Sequence, residues 1–333
     1  MKKNTYNSKK RREIFRRQIM TKDNMKITVF GIGGVGGAIA AMLMKTYGDR
    51  VSLIARGKRR EHLEQNGLTI HGDFTGEFTV MPVKVTDNPA DLPVQDIVIV
   101  SVKNDAIRKA AEQIRPMVGE NTVVLPVMNG VTGYKELREL LPCGIVLPSV
   151  IFIVSMAMED YSIVQKGRFF QVKSGNYPGD EKNRALAEEV CGILAETGIS
   201  WSFSENVLTD IWKKFILNCA YNVVTARWAC NVGAIKADPE RMEDCRKLMD
   251  ECAAVGRAQG VEIPESVTDE MMKRISKSGD TDTSSLSRDF EAGRSGEMEL
   301  FSGAVVRMAA DCGIPVPVTE AYYEGLKEIA AAF

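Results

Sequence analysis

The chain has 333 residues, 44% of them apolar, which is longer than one hydrophobic core usually organises and apolar enough to build two domains. Its formal charge of −1 is unevenly spread: residues 1–24 carry nine Lys or Arg against Glu13 and Asp23, leaving the remainder at −8, which argues against a nucleic-acid role for the folded body. Seven cysteines, odd in number and with no Cys-x-x-Cys pair, argue against a disulfide framework or a structural zinc site and read as buried thiols of a cytoplasmic protein, with no metal expected.

Residues 1–24 lack the apolar core of a secretory signal, and Met25 stands immediately before the first strand-like run, so this stretch is expected to be a disordered basic extension. A first domain is expected over residues 25–203. It opens with Lys26-Ile27-Thr28-Val29-Phe30 running straight into Gly31-Ile32-Gly33-Gly34-Val35-Gly36 and then a helix-forming stretch. Strand, Gly-x-Gly-x-x-Gly and helix in that order are what a dinucleotide pyrophosphate requires. Gly31 permits the tight turn, Gly33 leaves no Cβ in the way of phosphate, and Gly36 lets the helix lie close to the strand with its first N–H groups aimed at the anion.

The next strand, residues 51–55, selects the dinucleotide, because an acid at its end would hold the ribose 2′-hydroxyl of NAD. None stands there; Arg56-Gly57-Lys58-Arg59-Arg60 follows instead. Guanidinium groups bind phosphate bidentately, so this run, Arg56 first, predicts NADPH. Residues 68–85, with Gly72, Asp73 and Gly76 at the turn, read as a hairpin inserted at a sheet edge, its second strand covering 78–85. Residues 97–102 read as a buried central strand ending near the cofactor, and 123–125 and 145–154 as further strands. The stretch 143–158 is the most apolar, but it is too short to span a bilayer and is interrupted by Pro148, Ser149 and Ser155. Strands alternating with helical patterns predict a parallel, doubly wound sheet.

From about residue 204 to 333 the pattern becomes helical: 207–229, 239–259, 264–276, 297–312 and 319–332 carry helical periodicity. The polar stretch 278–285 between two of them reads either as a linker or as a substrate loop. In the first helix Lys214, Asn218, Asn222 and Thr225 recur at i, i+4, i+8 and i+11, a polar row on a helix that is otherwise mostly apolar. Asparagine is a poor helix former, so two at this spacing suggest directed hydrogen bonds. Hydride delivery to a ketone needs a proton donor for the nascent alkoxide. The only histidines are His62 and His71, which leaves Lys214, with a pKa lowered by burial, as the candidate donor. Lys213, one position away, is expected to point elsewhere.

The glycine motif, Lys103, Asn129-Gly130, Trp212-Lys213-Lys214 with Asn218 and Asn222, and Ser284-Ser285 followed by Glu297 together resemble the ketopantoate reductase family over residues 26 to about 330. The resemblance implies a Rossmann-type dinucleotide-binding domain followed by a mainly helical domain. It also implies NADPH-dependent reduction of 2-dehydropantoate to pantoate on the route to pantothenate and coenzyme A. Residue by residue, it assigns the proton donor to Lys214 and an orienting carboxylate to Glu297. Asn218, Asn222 and Ser285 would contact the substrate, and Lys103 and Asn129 the cofactor. Met128, Leu286, Gly296, Met298 and Glu299 depart from the family's usual residues. Reduction of another 2-oxo acid, a 3-hydroxyacid-type dehydrogenase and an NADPH-sensing protein therefore stay open, as does a homodimer.

Overall fold

A computed structural model describes residues 24–333; all but the last residue of the expected basic extension lies outside the described residues. Two compact units emerge, one closing at Met128 and resuming over Thr132–Val207, the other comprising Asn129–Val131 and Leu208–Phe333.

The first unit runs β1 (Ile27–Phe30), α1 (Gly34–Tyr47), β2 (Val51–Ile54), α2 (Gly57–Asn66), β3 (Leu68–Gly72), β4 (Gly76–Val80), β5 (Lys84–Thr86) and β6 (Ile97–Val100). It continues with α3 (Ile107–Ile114), β7 (Val123–Pro126), α4 (Gly133–Leu140), β8 (Ile145–Val146), β9 (Ser149–Ala157), β10 (Ile163–Ser174), α5 (Arg184–Ala195) and β11 (Ser200–Phe203). Six strands form a parallel sheet in the order β5-β2-β1-β6-β7-β8. β1, β6 and β7 are buried along their whole length, which explains why they read as apolar runs without alternation. The one polar side chain in β1, Thr28, is satisfied by donating to Gln95 Oε1 at 2.9 Å. The strand order departs from β1 in one direction and from β6 in the other. Their carboxyl ends therefore flank the switch point at which open α/β sheets bind ligands.

A second sheet covers the far side of α1. β9 and β10 pair antiparallel with an irregularity between Lys166 and Gln171, and the other edge of β10 takes β3 at its start and β11 at its end, both parallel. β4 completes a hairpin with β3. Ala38, Ile39, Ala40, Ala41 and Leu43 of α1 are fully buried. The helix is apolar nearly all round because a sheet lies on either side of it.

The parallel sheet and the helical second unit agree with the sequence reading, while several details differ. The expected strand over 78–85 is two strands in two sheets, parted by Met81-Pro82. The hairpin itself, 68–80, thus belongs to the second sheet, while β5 at the end of the 68–85 stretch is the edge strand of the first. The expected strand over 145–154 is likewise divided at Pro148, whose missing N–H cannot serve a ladder. β10 was not anticipated, because Lys166, Arg168 and Lys173 break its apolar pattern.

The second unit is built on α6 (Val207–Arg227), followed by α7 (Val232–Lys236), α8 (Pro239–Ala258), α9 (Val267–Lys277), α10 (Ser285–Glu291), a π-helical turn (Glu299–Gly303), α11 (Ala304–Cys312) and α12 (Pro317–Ala330). Trp212, Phe215 and Phe301 pack in its core, edge-to-face and tilted, with ring centroids 5.7 and 6.4 Å apart. α8 starts cleanly because Asp238 accepts from the N–H groups of Glu240 and Arg241 and Pro239 occupies the first helical position, a cap of about 1 kcal/mol. The helix expected over 297–312 is a π turn continued by α11, and the polar stretch after α9 ends in the unexpected short α10.

Candidate active site

The turn between β1 and α1 has the geometry that its glycines suggest. Gly31 sits at φ +96°, and a Cβ there would lie 2.5 Å from the Ser101 carbonyl oxygen; one at Gly36 would lie 1.9 Å from the Gly31 carbonyl oxygen. Both positions are closed to any side chain by backbone. A Cβ at Gly34 would meet the Ser155 carbonyl oxygen at 2.8 Å, whereas one at Gly33 would meet nothing within 4 Å. Gly33 caps α1 without a side-chain hydrogen bond and has open space beside it, so the first-turn N–H groups are in the setting that binds anions. The side chain of Ile32 is buried in the core and that of Val35 packs, partly exposed, against it.

The basic run after β2 divides its work. Arg59 donates to the Tyr161 carbonyl at 2.5 Å, and Arg60 pairs with Glu64 at 2.8 Å and Asp87 at 2.7 Å. Arg56, the N-cap of α2, and Lys58 are exposed and make no side-chain hydrogen bond or ion pair among the described residues. The expected cluster of four cations is therefore two available cations and two that are paired. Lys103 is exposed at the end of the turn after β6. Its neighbour Asn104, which sequence reasoning passed over, donates weakly to Thr132 Oγ1 at 3.4 Å while its Oδ1 is buried without a partner.

In the second unit, Lys214 Nζ donates to Asn129 Oδ1 at 2.9 Å, and Asn129 Nδ2 donates to Glu297 Oε2 at 2.8 Å. Residues more than 80 positions apart thus form one relay of ammonium, amide and carboxylate. Burial pushes the Lys214 pKa down to about 8, and the Glu297 carboxylate works against that shift by favouring the charged form. Lys213 turns away to an ion pair with Glu270 at 2.9 Å. One and two turns further along α6, Asn218 is half-buried and Asn222 buried. Among the described residues, neither side-chain amide has a protein partner.

The polar row ends differently from what its spacing suggested. Thr225 Oγ1 donates to the Tyr221 carbonyl at 2.7 Å and shares a 2.7 Å hydrogen bond with Ser284 Oγ, which in turn accepts from Ser287 N–H at 3.0 Å. Thr225 and Ser284 therefore anchor the start of α10, and Ser285 beside them is exposed. The loop leading there is held to α7 by Lys236, which donates to the Ser278 carbonyl at 2.6 Å and to Asp280 Oδ1 at 2.9 Å. The two neighbouring acids also separate. Glu297 joins the relay, while Glu299 accepts from Tyr323 Oη at 2.5 Å and Arg307 Nη1 at 2.9 Å within the π turn. That turn is a widening of the helix often met at functional sites.

The family model described as Ketopantoate reductase PanE/ApbA matches residues 27–179, and the model described as Ketopantoate reductase PanE/ApbA C terminal matches residues 206–330. The chain belongs to the ketopantoate reductase family. A 2-dehydropantoate 2-reductase of Mesorhizobium japonicum is 27% identical over 92% of this chain and 98% of its own. An uncharacterized oxidoreductase of Bacillus subtilis, YkpB, is 28% identical over 91% and 98%. The crystal structure of a PanE/ApbA family ketopantoate reductase from Ralstonia eutropha JMP134 superposes with a TM-score of 0.82 at 27% identity, covering 92% of this chain and 99% of that one. Membership in the ketopantoate reductase family thus extends over both units. No helix among the described residues is long and apolar enough to cross a membrane.

Proposed function

We propose that the chain reduces 2-dehydropantoate to pantoate with NADPH, Lys214 protonating the oxygen that was the ketone. The observation that carries this reading is the relay Lys214–Asn129–Glu297, which sets a lysine of depressed pKa beside two unpartnered asparagine amides on the same helix. The open space beside Gly33 and the exposed Arg56 and Lys58 fit a phosphorylated dinucleotide, and the bound cofactor supplies the hydride. The Lys214 ammonium polarises the carbonyl, stabilises the developing oxyanion and then transfers its proton to it. Asn129 fixes the ammonium's direction, and Glu297 keeps the amide from turning and favours the charged lysine. Asn218 and Asn222 offer amides for the substrate's hydroxyl and carbonyl oxygens, and Ser285 offers a hydroxyl for the carboxylate. The family resemblance assigns Lys103 and Asn129 to the cofactor.

The test is loss of NADPH absorbance with ketopantoate, run beside a panel of other branched 2-oxo acids. Turnover of ketopantoate well above the panel supports the proposal, and faster turnover of another acid replaces the substrate while keeping the chemistry. Arg56→Ala is expected to raise the KM for NADPH by about tenfold, the size of one charge-assisted phosphate contact at an exposed site, and to leave that for NADH unchanged. Equal losses for both cofactors would remove the assignment of Arg56 to the 2′-phosphate.

A further inference from the structure

Tyr161, on the turn between β9 and β10, has φ +67°, a left-handed conformation that side chains other than glycine and asparagine adopt at a cost. The turn is well made around it: Tyr161 N–H donates to the Met158 carbonyl at 3.0 Å, and Asp160 Oδ1 accepts from Ser162 N–H at 2.9 Å and Ser162 Oγ at 2.6 Å. Glycine would satisfy such a turn better, so the tyrosine side chain has work that the turn itself does not explain. That side chain lies against α2. The Arg59 guanidinium lies 5.0 Å from the Tyr161 ring centroid and also donates to the Tyr161 carbonyl, while the His62 ring is 5.0 Å away on the next turn of the helix.

α2 is therefore held at its start from two sides. Arg59 binds the β9–β10 turn, and Arg60 binds Asp87 beyond β5. The two remaining cations at this end of the helix, Arg56 and Lys58, are left facing solvent. We propose that Tyr161 is a positioning residue for cofactor discrimination: by clamping Arg59 it fixes the first turn of α2, and with it the direction in which Arg56 and Lys58 meet a 2′-phosphate. The inference rests on the NADPH reading given above and adds to it a residue more than a hundred positions away in sequence.

The experiment measures dissociation constants of NADPH and NADH by calorimetry, together with thermal melting, for the wild type, Tyr161→Gly, Tyr161→Phe, Arg59→Ala and the Arg59→Ala/Tyr161→Gly double variant. Tyr161→Gly removes the backbone strain and the ring together. It is expected to melt at or above the wild-type temperature and yet to bind NADPH about fivefold more weakly with NADH unchanged, a fraction of one charge-assisted contact. Tyr161→Phe keeps the ring and the carbonyl and should match the wild type. If Arg59 and Tyr161 act as one clamp, the double variant should be no weaker than Arg59→Ala alone. An unchanged NADPH-to-NADH ratio in Tyr161→Gly would overturn the proposal and reduce Tyr161 to a turn residue. A wild type that binds NADH as tightly as NADPH would instead overturn the cofactor reading on which it stands.

Discussion

Lys214→Ala is expected to lower kcat for ketopantoate reduction by about 10²–10⁴-fold, the range that a positioned general acid contributes, while Lys213→Ala leaves kcat near the wild-type value. The two lysines are adjacent in sequence and opposite in setting. Lys213 is in a partly exposed ion pair with Glu270, of a kind that contributes at most about 1 kcal/mol of stability and nothing to chemistry. Lys214 is in the relay, with its pKa lowered to about 8. The proton donor must be protonated at the start of reduction. The profile of kcat/KM against pH should therefore fall as pH rises through about 8, since this ratio reports the free enzyme. Glu297→Gln preserves an acceptor for Asn129 but removes the negative charge that raises the lysine's pKa, so the falling limb should move to lower pH. Steady-state rates of the wild type, Lys214→Ala, Lys213→Ala and Glu297→Gln across pH 6–10 decide this. A Lys214→Ala enzyme within about tenfold of the wild type would leave the proton to another donor.

The second large effect contrasts two glycines of one motif. Gly36→Ala would put a carbon 1.9 Å from the Gly31 carbonyl oxygen, and the obstacle is backbone that belongs to the turn itself. The helix must move off the strand, so the variant is expected to lose about 3 kcal/mol or more of stability and to bind NADPH poorly. Gly33→Ala adds its carbon where nothing of the protein lies within 4 Å. This variant should melt like the wild type and still lose NADPH affinity, because the added methyl fills the space that the phosphate requires. Melting curves and NADPH titrations on the two variants separate a glycine needed by the fold from one needed by the ligand. Normal NADPH binding by Gly33→Ala would remove the pyrophosphate from that position.

Much of this was legible in the sequence because the signals were local. A strand, three glycines and a helix lie within twenty residues, and the row of Lys214, Asn218 and Asn222 needs only helical periodicity to be seen. What the chain hid depends on distant partners. The Thr225 hydroxyl has the spacing of a site residue, yet its bond to Ser284, 59 positions away, makes it an anchor. Arg59 and Arg60 look like phosphate ligands until Tyr161 and Asp87 are set beside them. The second sheet escaped notice because charged residues interrupt β10 and because parallel pairing of β3 with β10 joins segments some ninety residues apart, and periodicity cannot report such partners.

A lysine held at a pKa of about 8 also carries a thermodynamic debit. In the unfolded chain the same group titrates near 10.4, so between these values the unfolded state binds the proton more tightly and stability from this group rises with pH. Below pH 8 the folded protein carries the charged form at a disadvantage of about 3 kcal/mol, which disappears above the unfolded value. Lys214→Met should consequently melt higher than the wild type at pH 7, with the gain shrinking towards pH 10. On the proposed mechanism, heat resistance and turnover pull this position in opposite directions, and a library sorted by melting temperature alone would discard the lysine that the proposed chemistry requires.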